Sequence, residues 1–342
     1  MPDTPPRPMS LAAQRFDRTM PMFNRNIRVE NIQAVHTSAG SASVEGLMRG
    51  IWDAAEIPVA RYAFVRDQGD DFTAIPVFPD RIFVQPYAYT RTDTGINDPA
   101  DLRGRRVVVP GFYYTASFWH RAILKEEHGV DASEIEWQVP GTELDERMRY
   151  PDGVSVTTIP RVSSVAQPLL EGSADVLLTE MAPVFPSSEE PRIKRIYPGP
   201  DAGVRDYYTR TGFFPPVHVI VVRKASLEQW PGFGEALCRM YDESKAETYR
   251  VLQNERMTSL PLMRAHLDES FEMFGDDPWA YGLEANRAVL EKYLDLAHAE
   301  GFIKSRPAVE ELFDERSLGY RFTAKMEHGS SPGGGAFVAT NI

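Results

Sequence analysis

Arg105-Arg106-Val107-Val108-Val109-Pro110, then Gly111-Phe112-Tyr113-Tyr114-Thr115, then Ala116 through His128, is the stretch from which the fold can be read. The β-branched run stopped by a proline has the pattern of a buried strand. The loop after it leads into a segment with helical spacing, in which Phe118, Trp119, Ala122 and Ile123 share one face. Thr115 is positioned to cap that helix, and Gly129 suits the left-handed residue that closes it. Strand, loop and helix together make a βα unit.

Similar units flank it on both sides. Upstream, Gly95-Ile96-Asn97-Asp98-Pro99-Ala100-Asp101-Leu102-Arg103-Gly104 is dense in turn residues. Asp53-Ala54-Ala55-Glu56-Ile57-Pro58 reads as a short strand entering a loop. The spacing before it predicts a helix after Ser41-Ala42-Ser43, with Val44, Leu47, Met48, Ile51 and Trp52 on one face. Apolar runs follow at 72–78 and 82–84. Downstream, strands are expected at 154–159 and 174–179, with a short helix between them that ends at Gly172. Val217-His218-Val219-Ile220-Val221-Val222-Arg223 is the most strand-like run of the second half. Ser226-Leu227-Glu228-Gln229 matches a capping box for a helix that continues to about Leu252. Another helix is expected over 283–300, with Val289, Tyr293, Leu296 and Ala297 on one stripe and Gly301 at its end. The Pro-rich start, through about Pro8, reads as a loose tail, and the Gly-rich 327–335 segment as flexible or loosely docked. Alternation of this kind indicates an α/β fold with a mainly parallel sheet covered by helices.

The 342 residues suit two lobes or one large α/β domain, at about 150 residues per domain. With 42% hydrophobic and 25% charged residues, wholesale disorder and fibrous repeats are excluded. Lys and Arg total 37 against 49 Asp and Glu, a net charge of −12. That balance argues against binding nucleic acid through its phosphates, yet leaves room for a local cationic pocket for a small anion. The single cysteine, Cys238, rules out an internal disulfide framework and lies on an apolar-periodic stretch as a small buried residue. No stretch is long and apolar enough to span a bilayer, and the N-terminus has no continuous apolar signal segment, so the chain is read as cytoplasmic, without a membrane partner. There is no phosphate-binding loop, no dinucleotide fingerprint and no nucleophile elbow. The seven histidines form no pair at metal-chelating helical spacing, so no cofactor is called for, although a divalent metal held by distant segments stays open. A homo-oligomer is equally open.

What remains are polar groups where open α/β sheets place their ligands, at strand ends. Arg18, in Asp17-Arg18-Thr19, is either a solvated surface residue or a two-pronged clamp on a carboxylate. Tyr113-Tyr114-Thr115 opens a helix whose free N–H groups attract anions, or simply caps it. Glu56 is a site carboxylate or an ion-pair partner of Arg61, and Arg81 is an anchor or a loop partner of Asp80. Thr211-Gly212-Phe213-Phe214-Pro215-Pro216-Val217-His218 puts a histidine at the start of a buried strand behind a rigid loop, as a satisfied core residue or as a catalyst.

These same segments resemble the 4,5-dihydroxyphthalate decarboxylase family, whose fold is similar to that of the type II periplasmic solute-binding proteins. The resemblance rests on Phe16-Asp17-Arg18-Thr19, on Asp53-Ala54-Ala55-Glu56, and on Ala74 to Arg81. It continues through Asp101-Leu102-Arg103-Gly104-Arg105-Arg106-Val107, Tyr208 to Pro215 with His218, and Asp277-Pro278-Trp279-Ala280-Tyr281-Gly282-Leu283-Glu284-Ala285-Asn286-Arg287. It implies a two-lobed α/β fold with mixed sheets and a ligand cleft between the lobes. One lobe would comprise residues 10–95 and 216–305, the other 96–215, with 306–342 as an extension. It also implies a carboxy-lyase that protonates the ring of a hydroxylated aromatic acid and releases carbon dioxide. His218 would be the proton donor and Glu56 the partner of the imidazole or of the phenol. Arg18 and Arg81 would anchor carboxylates, with Thr19, Tyr114, Thr115 and Thr211 binding substrate. The alternative on this fold is a non-catalytic solute-binding protein for an aromatic or dicarboxylic acid.

Overall fold

The computed structural model describes residues 5, 7–37, 41–69, 71–141, 147–199 and 201–327. Short β-branched or alanine-rich runs, buried on both faces, form the strands of two sheets. The first contains β1 (Met9–Ala13), β2 (Ile32–His36), β3 (Ala54–Pro58) and β4 (Phe72–Ile75), joined after a long excursion by β11 (His218–Arg223). The second contains β5 (Ala88–Arg91), β6 (Arg106–Val108), β7 (Glu136–Pro140), β8 (Ser155–Ile159), β9 (Val176–Leu178) and β10 (Ile193–Arg195). In the first sheet the order is β2-β1-β3-β11-β4, with β11 antiparallel between β3 and β4. In the second it is β10-β5-β9-β6-β7-β8. Both sheets are mixed.

Each sheet has its own helices, and one apolar cluster runs through both lobes. The Thr115–His128 helix of the second lobe packs Phe118 against Tyr293 of the Arg287–Ala299 helix of the first, ring centroids 4.8 Å apart. Phe302 stacks on Tyr113 at 4.6 Å and on Phe64 at 5.6 Å. Arg121, 1% exposed, completes this seam with an ion pair to Glu300.

Several expectations are corrected. The first crossing between lobes comes before β5, which pairs with β9 and β10, so residues 88–95 belong to the second lobe rather than the first. The turn-rich 95–104 segment is a loop inside that lobe. Residues 306–327 are part of the first lobe: Phe313 bridges to Ala74 at the sheet edge, Leu312 and Phe313 enter the core, and buried Asp242 accepts bonds from Thr323 and Ala324. The Gly-rich tail from 328 onward lies outside the described residues. Within the expected loose start, Arg7 is held, gripping Asp53 with two 2.8 Å bonds; residues 1–4 and 6 lie outside the described residues. The predicted long helix is two helices, Lys224–Gln229 and Phe233–Leu252, and Ser226 is no cap: its hydroxyl donates to Asp53 at 2.9 Å. Ile51 is 60% exposed, since its helix ends at Met48. Thr115 is the first helical residue rather than the cap; the cap position is Tyr114, whose side chain does not bond the helix start. Cys238 is fully buried, and Gly129 closes the helix at φ 66° as expected.

Candidate active site

β3 and β11 run antiparallel, with His218 registered against Pro58 and Ile220 against Glu56. Two residues of offset on antiparallel strands bring their same-face side chains within reach of each other. His218 Nδ1 donates to Glu56 Oε1 at 2.7 Å. Glu56 is wholly buried, and the side chain of His218 is 10% exposed. Gln14, the residue after β1, completes the pair: its backbone N–H donates to Glu56 Oε2 at 2.9 Å and its Nε2 to Oε1 at 3.0 Å.

Burial alone would push Glu56 up, but the hydrogen bond and charge of His218, with the two bonds from Gln14, hold it below its ordinary value. Burial likewise pulls His218 down, and Glu56, Asp80 and Glu180 together more than reverse it. Both shifts favour an imidazolium beside an ionised carboxylate. Asp80, in the loop after β4, stands 3.5 Å from Nδ1 with its side chain 27% exposed. Glu180 follows β9 on the opposite lobe. Burial raises both carboxyls, with the charge of His218 opposing it.

The other expected site residues fall into two groups. Arg18 is beside this cluster, sandwiched between Trp279 (3.6 Å) and Phe16 (4.3 Å), with Nε bonded to the carbonyl of Pro79 at 2.7 Å and Nη1 to Asp17 at 3.1 Å. Lys245, fully buried, grips Asp277 and the carbonyl of Trp279, and Tyr249 bridges Asp277 to the Trp279 N–H. The Asp277-Pro278-Trp279 motif therefore aims the indole that seats Arg18. Thr115 accepts from the Ala60 N–H at 3.2 Å, next to Val59, whose N–H bonds the carbonyl of Val217. That chain of contacts places the uncapped helix start, Tyr114 included, beside the end of β11 from the other lobe.

Arg81, Thr19 and Thr211 each bond to other parts of the chain. Arg81, expected as an anchor, is buried, with Nη1 on the carbonyl of Phe214 at 2.8 Å and Nη2 on Ala280 at 2.7 Å and on Asn286. Burial lowers it to about 10. Thr19 Oγ1 accepts from Phe16 and donates to the carbonyl of Gln14 at 2.7 Å, which fixes the residue that grips Glu56. Thr211 donates to Tyr207 and accepts from Phe213, closing the Val204–Thr211 helix. Glu56 pairs with His218 rather than Arg61. The expectation of a basic pocket is revised too, since the groups around His218 are mostly carboxyls, with Arg18 the cation beside them.

Sequence reasoning passed over Gln14, Glu180 and, as a site residue, Asp80. Asp80 directly precedes Arg81 in a quoted motif, and Glu180 directly follows the predicted 174–179 strand. Their positions at strand ends were the available signal. His120 is a buried core histidine, bonded to the carbonyl of Thr179 at 2.9 Å and lowered by burial to about 4. Among the described residues no three His, Cys, Asp or Glu side chains form a metal-binding group, and no helix is long and apolar enough to cross a membrane.

Two lobes with mixed sheets define a periplasmic-binding-protein-like fold, here with an acid–base cluster at the ends of its strands. Solved relatives agree on the fold: the periplasmic aliphatic sulphonate binding protein SsuA from Escherichia coli superimposes with a TM-score of 0.54 at 13% identity, covering 92% of this chain and 99% of that one. The alkanesulfonate-binding protein SsuA from Xanthomonas axonopodis pv. citri gives 0.55 at 12%, covering 91% and 99%. No family model matches the chain. Among characterised sequences, 4,5-dihydroxyphthalate decarboxylase from Comamonas testosteroni is 31% identical over 320 residues, 91% of this chain and 97% of that protein. The enzyme of the same name from Pseudomonas putida is 26% identical over 208 residues, 58% of this chain and 81% of that one. The chain belongs to the 4,5-dihydroxyphthalate decarboxylase family, and it is a carboxy-lyase.

Proposed function

We propose that this enzyme decarboxylates a dihydroxyphthalate-like aromatic acid by protonating the ring carbon that bears the departing carboxylate, with His218 as the acid. The observation that carries the reading is the 2.7 Å bond between His218 Nδ1 and a sealed Glu56 held below its ordinary value; with Nδ1 so engaged, an imidazolium there would give up the proton on Nε2. In 4,5-dihydroxyphthalate each carboxylate lies para to a hydroxyl, whose oxygen pushes electron density onto the carbon to be protonated. Once the proton is on carbon, the bond to the carboxylate breaks, carbon dioxide leaves and the ring regains aromaticity. Glu56 stabilises the imidazolium and orients it, as a general acid near neutral pH requires.

Two features support substrate anchoring. Among the described residues Arg18 Nη1 bonds exposed Asp17, a place that a substrate carboxylate can take. The uncapped start of the Thr115–His128 helix offers N–H groups and a helix dipole to a second carboxylate. Closure of the lobes over the ring would exclude water from the carbanion-like state.

The test is release of carbon dioxide from a panel of hydroxylated phthalates and benzoates by the unaltered protein and by His218→Gln. Turnover of a para-hydroxylated phthalate that drops about 100-fold or more in the variant is the expected result. Full turnover by His218→Gln on every accepted substrate would remove His218 as the acid. Thermal stabilisation by these acids without any turnover would point instead to binding alone.

A further inference from the structure

Protonating the ring carbon needs a second group, because the para phenol must lose its proton as its oxygen feeds electrons into the ring. Glu56 is unable to serve. Its side chain has no exposure, Oε1 is engaged by His218 and Gln14, and Oε2 by the Gln14 N–H. Besides Glu56, the carboxyls whose charge reaches His218 are Asp80 and Glu180.

Asp80 is built into the catalytic strand end. Its carbonyl accepts the N–H groups of Val217 at 2.9 Å and His218 at 3.3 Å, and the next residue, Arg81, bridges to Pro216. The neighbouring Pro79 carbonyl holds Arg18. These bonds fix the Asp80 carboxylate 3.5 Å from His218 Nδ1, and at 27% exposure it reaches open space, as Glu56 does not. We propose that Asp80 accepts the proton of the substrate's para hydroxyl while His218 delivers its own to the ring carbon. The inference rests on the decarboxylase reading above.

The step balances. The phenolic O–H bond breaks and its proton passes to the Asp80 carboxylate. The oxygen forms a C=O bond, and the displaced π electrons form the new C–H bond at the carbon carrying the carboxylate, with the proton from His218 Nε2. That carbon's bond to the carboxylate then breaks, releasing carbon dioxide. Its electron pair restores the aromatic ring and returns the carbonyl to a phenol oxygen, which takes its proton back from Asp80. One proton is consumed overall, that of His218, which solvent replaces.

The surroundings of Asp80 suit the role. The groups facing it are His218 on β11, Glu56 on β3, Arg18 after β1, the Arg81 N–H and, from the other lobe, Glu180. Burial raises its carboxyl above the ordinary value, Glu56 adds to this, and His218 and Arg18 only partly offset it. A more basic carboxylate is a better proton acceptor.

The experiment compares Asp80→Asn, Asp80→Glu, Glu180→Gln and His218→Gln in the full chain. It reads kcat and KM for carbon dioxide release from 4,5-dihydroxyphthalate across pH, with circular dichroism as a check of folding. Asp80→Asn should lose kcat by about 100-fold or more, with KM changed by no more than about threefold. Asp80→Glu should recover part of the rate and move the acidic limb of the kcat profile, while Glu180→Gln leaves that limb in place. If Asp80→Asn fails to fold, the Asp80→Glu limb decides. The proposal is overturned if Asp80→Asn keeps more than about a tenth of the rate, if Glu180→Gln takes the loss instead, or if Asp80→Glu leaves the limb unmoved. A dead His218→Gln beside an active Asp80→Asn removes only the role of Asp80; full turnover in both removes the reading on which it rests.

Discussion

His218 and Glu56 share a bond that each needs, and its pH dependence follows in sign. His218 titrates above its ordinary 6.5, because Glu56, Asp80 and Glu180 outweigh burial. Glu56 titrates below its ordinary 4.5, because His218 and Gln14 outweigh burial. The stabilisation from His218 is complete below 6.5 and is lost as pH rises through its folded value; that from Glu56 is complete above 4.5 and is lost as pH falls through its own. Urea midpoints of the unaltered protein and His218→Gln should therefore differ most between pH 4.5 and 6.5. The alkaline limb of kcat, where the imidazolium loses its proton, should fall above 6.5. Gln14→Leu tests the support beneath this pair. Losing the Nε2 bond to Glu56 should raise Glu56, lower His218 and bring that limb to lower pH, at a cost of about 2 kcal/mol in urea unfolding. An unmoved limb would show that Gln14 only packs.

At the scale of elements, the two connections between lobes are held by stacked aromatic rings and by Arg81, which the sequence reading offers as a ligand anchor. Phe83 of the first connection stacks on Phe214 of the second at 4.5 Å, nearly parallel. Arg81 stitches the same connections to Ala280 and Asn286. Arg81→Met would take the Arg81 donor from the Phe214 carbonyl and from Asn286 Oδ1, while Ala280 keeps the Asn286 amide, and should lower stability by about 2–4 kcal/mol with KM for the aromatic acid near its original value. A rise in KM without loss of stability would restore Arg81 as an anchor. An arginine beside an aspartate in a loop is compatible with both roles. Only the fold shows which acceptors its five donors meet. The elements themselves were more legible: the strand at 106–108, the helix at 115–128 and the strand at 218–223 follow from β-branched runs, helical spacing and a closing glycine, all local in the chain. The break at Trp230–Gly232 was missed because Ser226 imitates a cap, while its hydroxyl is drawn to Asp53, which is 173 residues away.

For the whole molecule, the chain past residue 305 is structural through Glu327. Val309, Leu312, Phe313, Ala324 and Met326 are all buried, and Asp314 donates its N–H to the carbonyl of Ala74 at the edge of β4. Ending the chain at Ser305 should expose this face and cost more than the roughly 5–15 kcal/mol that holds a domain of this kind together. The expected outcome is an aggregated product, and a soluble, cooperatively unfolding one would show the segment to be dispensable. The sequence by itself determined an α/β chain of two-lobe length, the main strands and helices, the family resemblance and the candidacy of His218 and Glu56, because these depend on local spacing and on motifs contiguous in the chain. Tertiary structure decided that Glu56 bonds the imidazole, that Arg81 and Thr19 are bonded within the chain, and that Gln14, Asp80 and Glu180 surround His218. The physical reason is that charge and hydrogen bonding act through space: these groups lie between 38 and 204 residues from His218 and meet it only when β1, β3, β11 and the end of β9 converge.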